Sequence, residues 1–271
     1  MAALNNHLIL FDAECPMCSL YTKAFVSTGL LDKQGRAAYQ TLDAEACPLV
    51  DRQRAVNEIA LVNRLTGEVT YGIAGLFKVI GSAVPLLKPL FGFAPFVRFM
   101  SNVYALVSYN RRVIIPTAGD GFAIQPTFKL KYRVAYLIIA WAVTSYILTQ
   151  YVHLLQGVLP VGNAYREYLI CGGQIFFQGI VVSFLFNDKK WEYLGNMMTI
   201  SLAGALLLLP MVLLKGIIGQ QPVFYSLYFM LVAGLMFLEH IRRSKILKIG
   251  WALTISWACY RAIILMVILF I

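Results

Sequence analysis

At 271 residues, 59% hydrophobic and only 13% charged, with a mean hydropathy of +0.70, the chain is too apolar for an ordinary soluble domain. Its formal net charge of +10 does not point to nucleic acid, because much of the basic charge flanks apolar runs, where Lys and Arg orient membrane helices and meet anionic lipid. Most acidic residues lie before Asp120 and long apolar runs dominate after Tyr132, so two units of different kind are expected.

The first residues lack a basic leader region, and their short apolar run leads into Asp12 and Glu14, so no secretory signal is expected and the first unit should stay in the cytoplasm. Leu8–Phe11 reads as a buried strand and Ser19–Ser27 as a helix. Ala37–Leu42 reads as a second strand, and Cys47–Arg54 as a short polar connection with helical character. Asn57–Asn63 and Glu68–Tyr71, joined by a turn at Thr66-Gly67, read as a hairpin of third and fourth strands. Gly72–Val84 reads as a helix. This order predicts a minimal thioredoxin-like α/β fold over residues 1–115.

Pro85, Pro89 and Pro95 forbid one straight helix in the next apolar stretch. A broken segment is expected, then an amphipathic helix over Pro95–Tyr109 with Phe96, Phe99, Val103, Leu106 and Val107 as its stripe. That stripe packs on the domain or lies on a membrane surface. Residues 116–131 read as a linker, turn-rich over Pro116–Pro126. An all-α transmembrane domain follows over 132–271, with five spans at 132–155, 167–186, 191–218, 223–239 and 249–271. Basic residues fall in alternate loops: Lys129, Lys131 and Arg133, then Lys189 and Lys190, then Arg242, Arg243, Lys245 and Lys248. This alternation predicts an N-terminal domain in the cytoplasm and a C-terminus outside, in a bacterial inner membrane.

Cys15-Pro-Met-Cys18 sits at a strand-to-helix junction, where two cysteines one helical turn apart form a redox motif more often than a structural one. The helix N-terminus favours a thiolate at Cys15, the expected exposed nucleophile, and Cys18 is the expected resolving thiol. Half a zinc site is the competing reading, but only Cys47 and His7 lie near in sequence and they lack the spacing of a second ligand pair. No metal and no cofactor are expected. Asp12 has two readings, a proton relay to Cys18 or a helix cap.

In the apolar part, Cys171 and Cys259 read as small buried residues, with an axial offset on the order of 8 Å that argues against a disulfide. Arg261 lies deep in the fifth span; either it pairs with Glu167 or Gln174, or it snorkels. Glu239 and His240 are expected to close the fourth span at an interface. Gln174 and Gln178, with Gly172, Gly173 and Gly179, give the second span a small, polar face suited to helix packing.

Asp12-Ala-Glu-Cys15-Pro-Met-Cys18 resembles the D-x-x-C-x-x-C signature of the DCC family of thiol–disulfide oxidoreductases. Leu8–Phe11 resembles that family's first strand, and Val103–Arg112, ending in Asn110-Arg111-Arg112, its closing segment. The resemblance covers roughly residues 7–114. It implies a thioredoxin-like fold, protein-disulfide reductase activity and functional roles for Asp12, Cys15 and Cys18. The chain departs from the pattern at Ala13, where the family usually has glycine, and Arg54-Ala-Val56 stands where thioredoxins place a proline before the third strand.

The expected function is a membrane-anchored thiol–disulfide oxidoreductase whose partners are a protein or small-molecule thiol or disulfide and the lipid bilayer, without nucleic acid. The alternative is a transporter or assembly factor whose dithiol domain senses redox state.

Overall fold

A computed structural model describes residues 4–41, 49–117 and 125–270. The chain divides into two compact units, Met1–Tyr132 and Arg133–Ile271.

The first unit is organised around β1, His7–Phe11, whose last four residues are all buried. A strand covered on both faces needs apolar side chains on both. Leu8 and Leu10 pack with Tyr39, Val56 and Val62 on one side, while Ile9 packs with Leu31, Ile59, Leu61 and Val79 on the other. Helix α1, Pro16–Ser27, follows. It begins three residues before the expected start at Ser19, because proline suits the first helical position, where its missing N–H costs nothing. Strand β2, Arg36–Ala38, runs parallel to β1 and stops short of the expected end, giving way to a 3-10 turn at Tyr39–Thr41. Leu42 and Cys47 lie outside the described residues.

Helix α2, Arg52–Asn57, starts where the Asp51 side chain accepts the Arg54 N–H. It therefore consumes Asn57, and strand β3 covers only Ala60–Asn63 instead of starting at Asn57. Strand β4, Val69–Tyr71, pairs antiparallel with β3 through the expected hairpin; Gly67, at φ +72°, takes the left-handed turn conformation. The mixed sheet has the order β2-β1-β3-β4, with β3 antiparallel to β1. Helix α3 spans Gly72–Ala83.

A 3-10 turn, Pro85–Leu87, then leads into helices α4, Lys88–Gly92, and α5, Ala94–Ile114, which are bent by 90° to one another. Helix α5 outruns its expected end at Tyr109 and buries Asn110, Arg111 and Val113. Phe91 and Phe96 stack on Phe77 of α3. Phe99 is 62% exposed, so the packed stripe runs through Val103 and Val107 without it.

The second unit is helical. Among the described residues, helices α6 (Leu130–Val152), α7 (Arg166–Leu185), α8 (Lys190–Leu213), α10 (Pro222–Ile246) and α11 (Ala252–Phe270) are the five long and apolar enough to cross a membrane as single spans. The short α9, Lys215–Ile218, is separate, so the third span ends earlier than expected. Helix α10 runs seven residues beyond its expected end at Glu239. Glu239 sits one turn before Arg242 and Arg243 and pairs with both at 2.7 Å, which carries the helix onward. The unit's cores join α6, α7, α8 and α11 through Leu137, Val182, Leu194 and Leu253, and α6, α8 and α10 through Ile147, Leu208 and Tyr225. This is a membrane protein by the length and apolarity of its helices.

Candidate functional site

The site is built where β1 ends. Asp12 follows the strand, and its main-chain oxygen accepts the Cys15 N–H at 3.1 Å, turning the chain into α1. Cys15 itself is the N-cap, with φ −102° and ψ 102°, and its Sγ accepts the Cys18 N–H at 3.1 Å. The cap is therefore the sulfur, not the Asp12 carboxylate. No acidic residue lies in the first turn of α1 to oppose a negative charge there. Cys15 and Cys18, with Cα atoms 5.2 Å apart, are joined as a disulfide. Both are buried, at 5% and 6% exposure, so the expected difference in accessibility between them is absent in this disulfide form.

Asp12 is held by three donors. Oδ1 accepts the Glu14 N–H at 3.0 Å and Gln40 Nε2 at 2.7 Å. Oδ2 accepts Arg111 Nη2 at 2.5 Å, in an ion pair with both side chains almost wholly buried. The same Arg111 nitrogen donates to the Val56 carbonyl at 2.6 Å. One guanidinium thus ties the end of β1, the end of α2 and the last turns of α5. Beside it, Arg112 pairs with Glu14 at 2.8 Å, and Asn110 Nδ2 donates to the Tyr132 carbonyl at 2.9 Å. Gln40 completes the turn by accepting the Ala13 N–H at 3.0 Å. These bonds hold the Asp12 carboxylate against the turn that carries Cys15.

In the sequence Arg111 stands only within the closing Asn110-Arg111-Arg112 pattern, which implies no role for it. Nothing local marks it, since its partner lies 99 residues away. The available signal is its place in the last turn of α5, between Asn110 and Arg112.

Cys18 also borders a cavity of about 240 Å³ between α1, α3 and α5. Tyr21, Ile59, Leu76, Val103, Val107 and Tyr104 line it, with Asp12, Glu58 and Arg111 at its polar edge. The Tyr104 hydroxyl accepts the Ile59 N–H at 3.0 Å, and burial pushes its phenol up to about 12. Burial likewise pushes the Tyr21 phenol upward.

Among the described residues no group of three or more His, Cys, Asp or Glu side chains is placed to hold a metal ion. His7 uses Nδ1 to donate to the Asn5 carbonyl at 2.7 Å.

In the second unit, Cys171 is a buried free thiol and Cys259 an exposed one. Glu167 pairs with Arg166 at 2.8 Å rather than with Arg261, whose guanidinium lies over the Trp257 ring at 5.9 Å and beside Cys171. His240 is not at a helix end. It is 1% exposed, accepts or donates at 3.2 Å with the Tyr193 hydroxyl and at 2.9 Å with Thr254 Oγ1, and stacks on Trp257.

The two units define a membrane protein that couples a small mixed-sheet α/β unit, bearing a close cysteine pair, to apolar helices able to span a bilayer. No protein-family model, curated protein or solved structure matches the chain.

Proposed function

We propose that the protein is a membrane-anchored thiol–disulfide oxidoreductase of the protein-disulfide reductase type, with Cys15 as nucleophile and Cys18 as resolving thiol. The observation that carries this reading is the Cys15 sulfur at the N-terminus of α1, accepting the Cys18 N–H. The same N–H and the helix dipole stabilise a Cys15 thiolate once the disulfide is reduced.

The chemistry balances without a cofactor. The Cys15 thiolate attacks one sulfur of a substrate disulfide, forms a mixed disulfide and releases the first substrate thiolate. The Cys18 thiolate then attacks Cys15 Sγ, releases the second substrate thiol and leaves Cys15 and Cys18 bonded to each other. A thiol or dithiol donor reduces that pair again. Asp12 and Arg111 act as positioning residues that hold the turn carrying Cys15 against the end of α2.

A thioredoxin-like ancestry of the first unit, and membership of the DCC family, are supported by the strand order β2-β1-β3-β4 with its parallel first pair and by the D-x-x-C-x-x-C motif at the end of β1. The cytoplasmic placement of this unit in a bacterial inner membrane, with the C-terminus outside, is supported by the alternation of basic loops. There the dithiol rests reduced and acts on incoming disulfides.

The test combines two measurements, one on the reduced full chain in detergent and one in cells. Cys15 should alkylate with a half-maximal pH below the value of about 8.5 expected of a free thiol, and Cys18→Ala should accumulate a mixed disulfide on Cys15 in cells. An ordinary Cys15 profile together with no mixed disulfide beyond that of Cys15→Ser rules the reading out.

A further inference from the structure

Helix α7 is turned inside out. The residues it buries against the rest of its unit are Glu167, Cys171, Gln174, Gln178 and Val182. Those it exposes include Leu169, Phe176, Ile180 and Phe184. The exposed side is what a lipid-facing helix needs. The buried side puts a polar or thiol side chain at every turn from 167 to 178, a rise of about 16 Å at 1.5 Å per residue.

These groups have too few partners. Gln174 and Gln178 are 2% and 0% exposed, yet the Nε2 of each lacks a hydrogen-bond partner. The same holds for Thr144 Oγ1 on α6 and for Trp257 Nε1 and Arg261 Nε on α11, the helices that flank α7. The Ser145 hydroxyl and the Arg261 guanidinium sit beside the Cys171 thiol. Inside a bilayer no bulk solvent reaches such atoms, and each unsatisfied one costs free energy of the order of a lost hydrogen bond or more. Several together, on facing helices, call for water between them.

At one end of this stripe the partners are present and continuous. Gln178 Oε1 accepts the Tyr193 hydroxyl at 2.8 Å and the Ser256 hydroxyl at 3.2 Å. Tyr193 reaches His240 Nε2, and His240 Nδ1 reaches Thr254 at 2.9 Å and Ser244 at 3.3 Å. This chain leads toward the end of the bundle where Lys189 donates to the Leu247 carbonyl and where Glu239 meets Arg242 and Arg243. At the other end the stripe finishes at the Glu167–Arg166 pair.

We propose that the buried face of α7 lines a hydrated path that passes protons through the membrane unit, with His240 as the titrating relay. A proton entering at one end is taken up by the hydrogen-bonded chain as another leaves at the far end, so no redox partner is needed. His240 has the two ring nitrogens this requires, one facing Tyr193 and the other facing Thr254 and Ser244. Arg243, Glu239 and Arg261 are the charged groups nearest the path on α10 and α11, and Arg261 sets a positive charge beside the stretch near Cys171. This inference rests on the second unit alone and stands or falls independently of the dithiol chemistry.

The test is proton flux in liposomes holding the full-length protein, driven by a potassium diffusion potential and read with a trapped pH dye, with the Cys15–Cys18 pair oxidised in one preparation and reduced in another. Flux at least tenfold above empty liposomes is expected in one or both. His240→Gln and Gln178→Leu should each lower it tenfold or more, while Ser183→Ala, on the exposed side of α7, should leave it unchanged. Because a core variant can fail to fold, the unmutated protein supplies a second readout. A small hydrophilic methanethiosulfonate should modify Cys171 and block the flux, and Cys171→Ser should escape that block. Flux no higher than that of empty liposomes in both preparations overturns the proposal, as does full flux after Cys171 is modified or in folded His240→Gln and Gln178→Leu.

Discussion

Strand β1 and helix α7 are both apolar segments with a face turned to the interior, and those faces differ in kind. Strand β1 buries Leu8, Ile9, Leu10 and Phe11, and the polar groups of its unit gather at its end around Asp12 and Arg111. Helix α7 buries Glu167, Gln174 and Gln178 and shows phenylalanine and leucine to its surroundings. Water accounts for the first pattern, because apolar area removed from it contributes roughly 25 cal/mol per Å². Lipid accounts for the second, because tails already solvate leucine and give it no reason to turn inward. The same side chain therefore carries different weight in the two units, and substitution experiments read that difference directly.

The largest contrast is chemical. Cys15→Ser or Cys18→Ser should reduce disulfide-exchange turnover to the uncatalysed background, whereas Cys171→Ser and Cys259→Ser should leave it unchanged; turnover of a disulfide reporter by the detergent-solubilised chain checks this. Retained turnover in Cys15→Ser would move the nucleophile elsewhere and dissolve the contrast.

Next in size is the buried ion pair. Arg111→Met leaves the Asp12 carboxylate inside the fold without its cation, and should destabilise the first unit by about 3–5 kcal/mol. Asp12→Asn combined with Arg111→Met should recover part of that loss. Hydrogen exchange at the β3 amides is a suitable reporter, because all four tryptophans, Trp141, Trp191, Trp251 and Trp257, lie in the second unit and their fluorescence should not move.

A third comparison pits two leucines against each other. Leu61→Ala, at 1% exposure beside Ile9 and Val79, should cost about 2–5 kcal/mol through lost burial and a residual cavity. Leu231→Ala, 60% exposed on α10, should stay within about 0.5 kcal/mol. A large effect at Leu231 would mean that its surface is covered by protein rather than lipid.

The smallest effect is a pH dependence. Burial raises the Tyr104 phenol to about 12, so the folded state keeps that proton longer than the unfolded chain does. Its stabilising contribution is complete below about pH 10 and is lost as the pH rises through 12, at up to about 1.4 kcal/mol per pH unit. Tyr104→Phe should remove that part of the slope and cost about 1 kcal/mol at neutral pH, the worth of the hydrogen bond from Ile59. Spectrophotometric titration of the phenols, compared with hydrogen exchange across the same range, separates this from the half-buried Tyr21.

What could be read from the order of residues was whatever depends on neighbours in sequence. Short apolar runs and the turn at Thr66-Gly67 located strands of the first unit. The Cys-x-x-Cys spacing announced a pair one helical turn apart, and five apolar stretches announced five helices long enough for a bilayer. These signals are local because backbone hydrogen bonds in helices and hairpins, and the thickness of a membrane, act over short stretches of chain. Even there the edges moved: Pro16 began α1 early, Asp51 turned Asn57 into a helix end, and the Glu239 pairs carried α10 past His240. Only the tertiary structure could decide that Cys15 rather than Asp12 caps α1, that Asp12 meets Arg111 across 99 residues, and that His240 faces Tyr193 across 47. Those contacts depend on which faces of distant elements are packed together, and a side chain's partner across a core leaves no periodic mark in the chain that carries it.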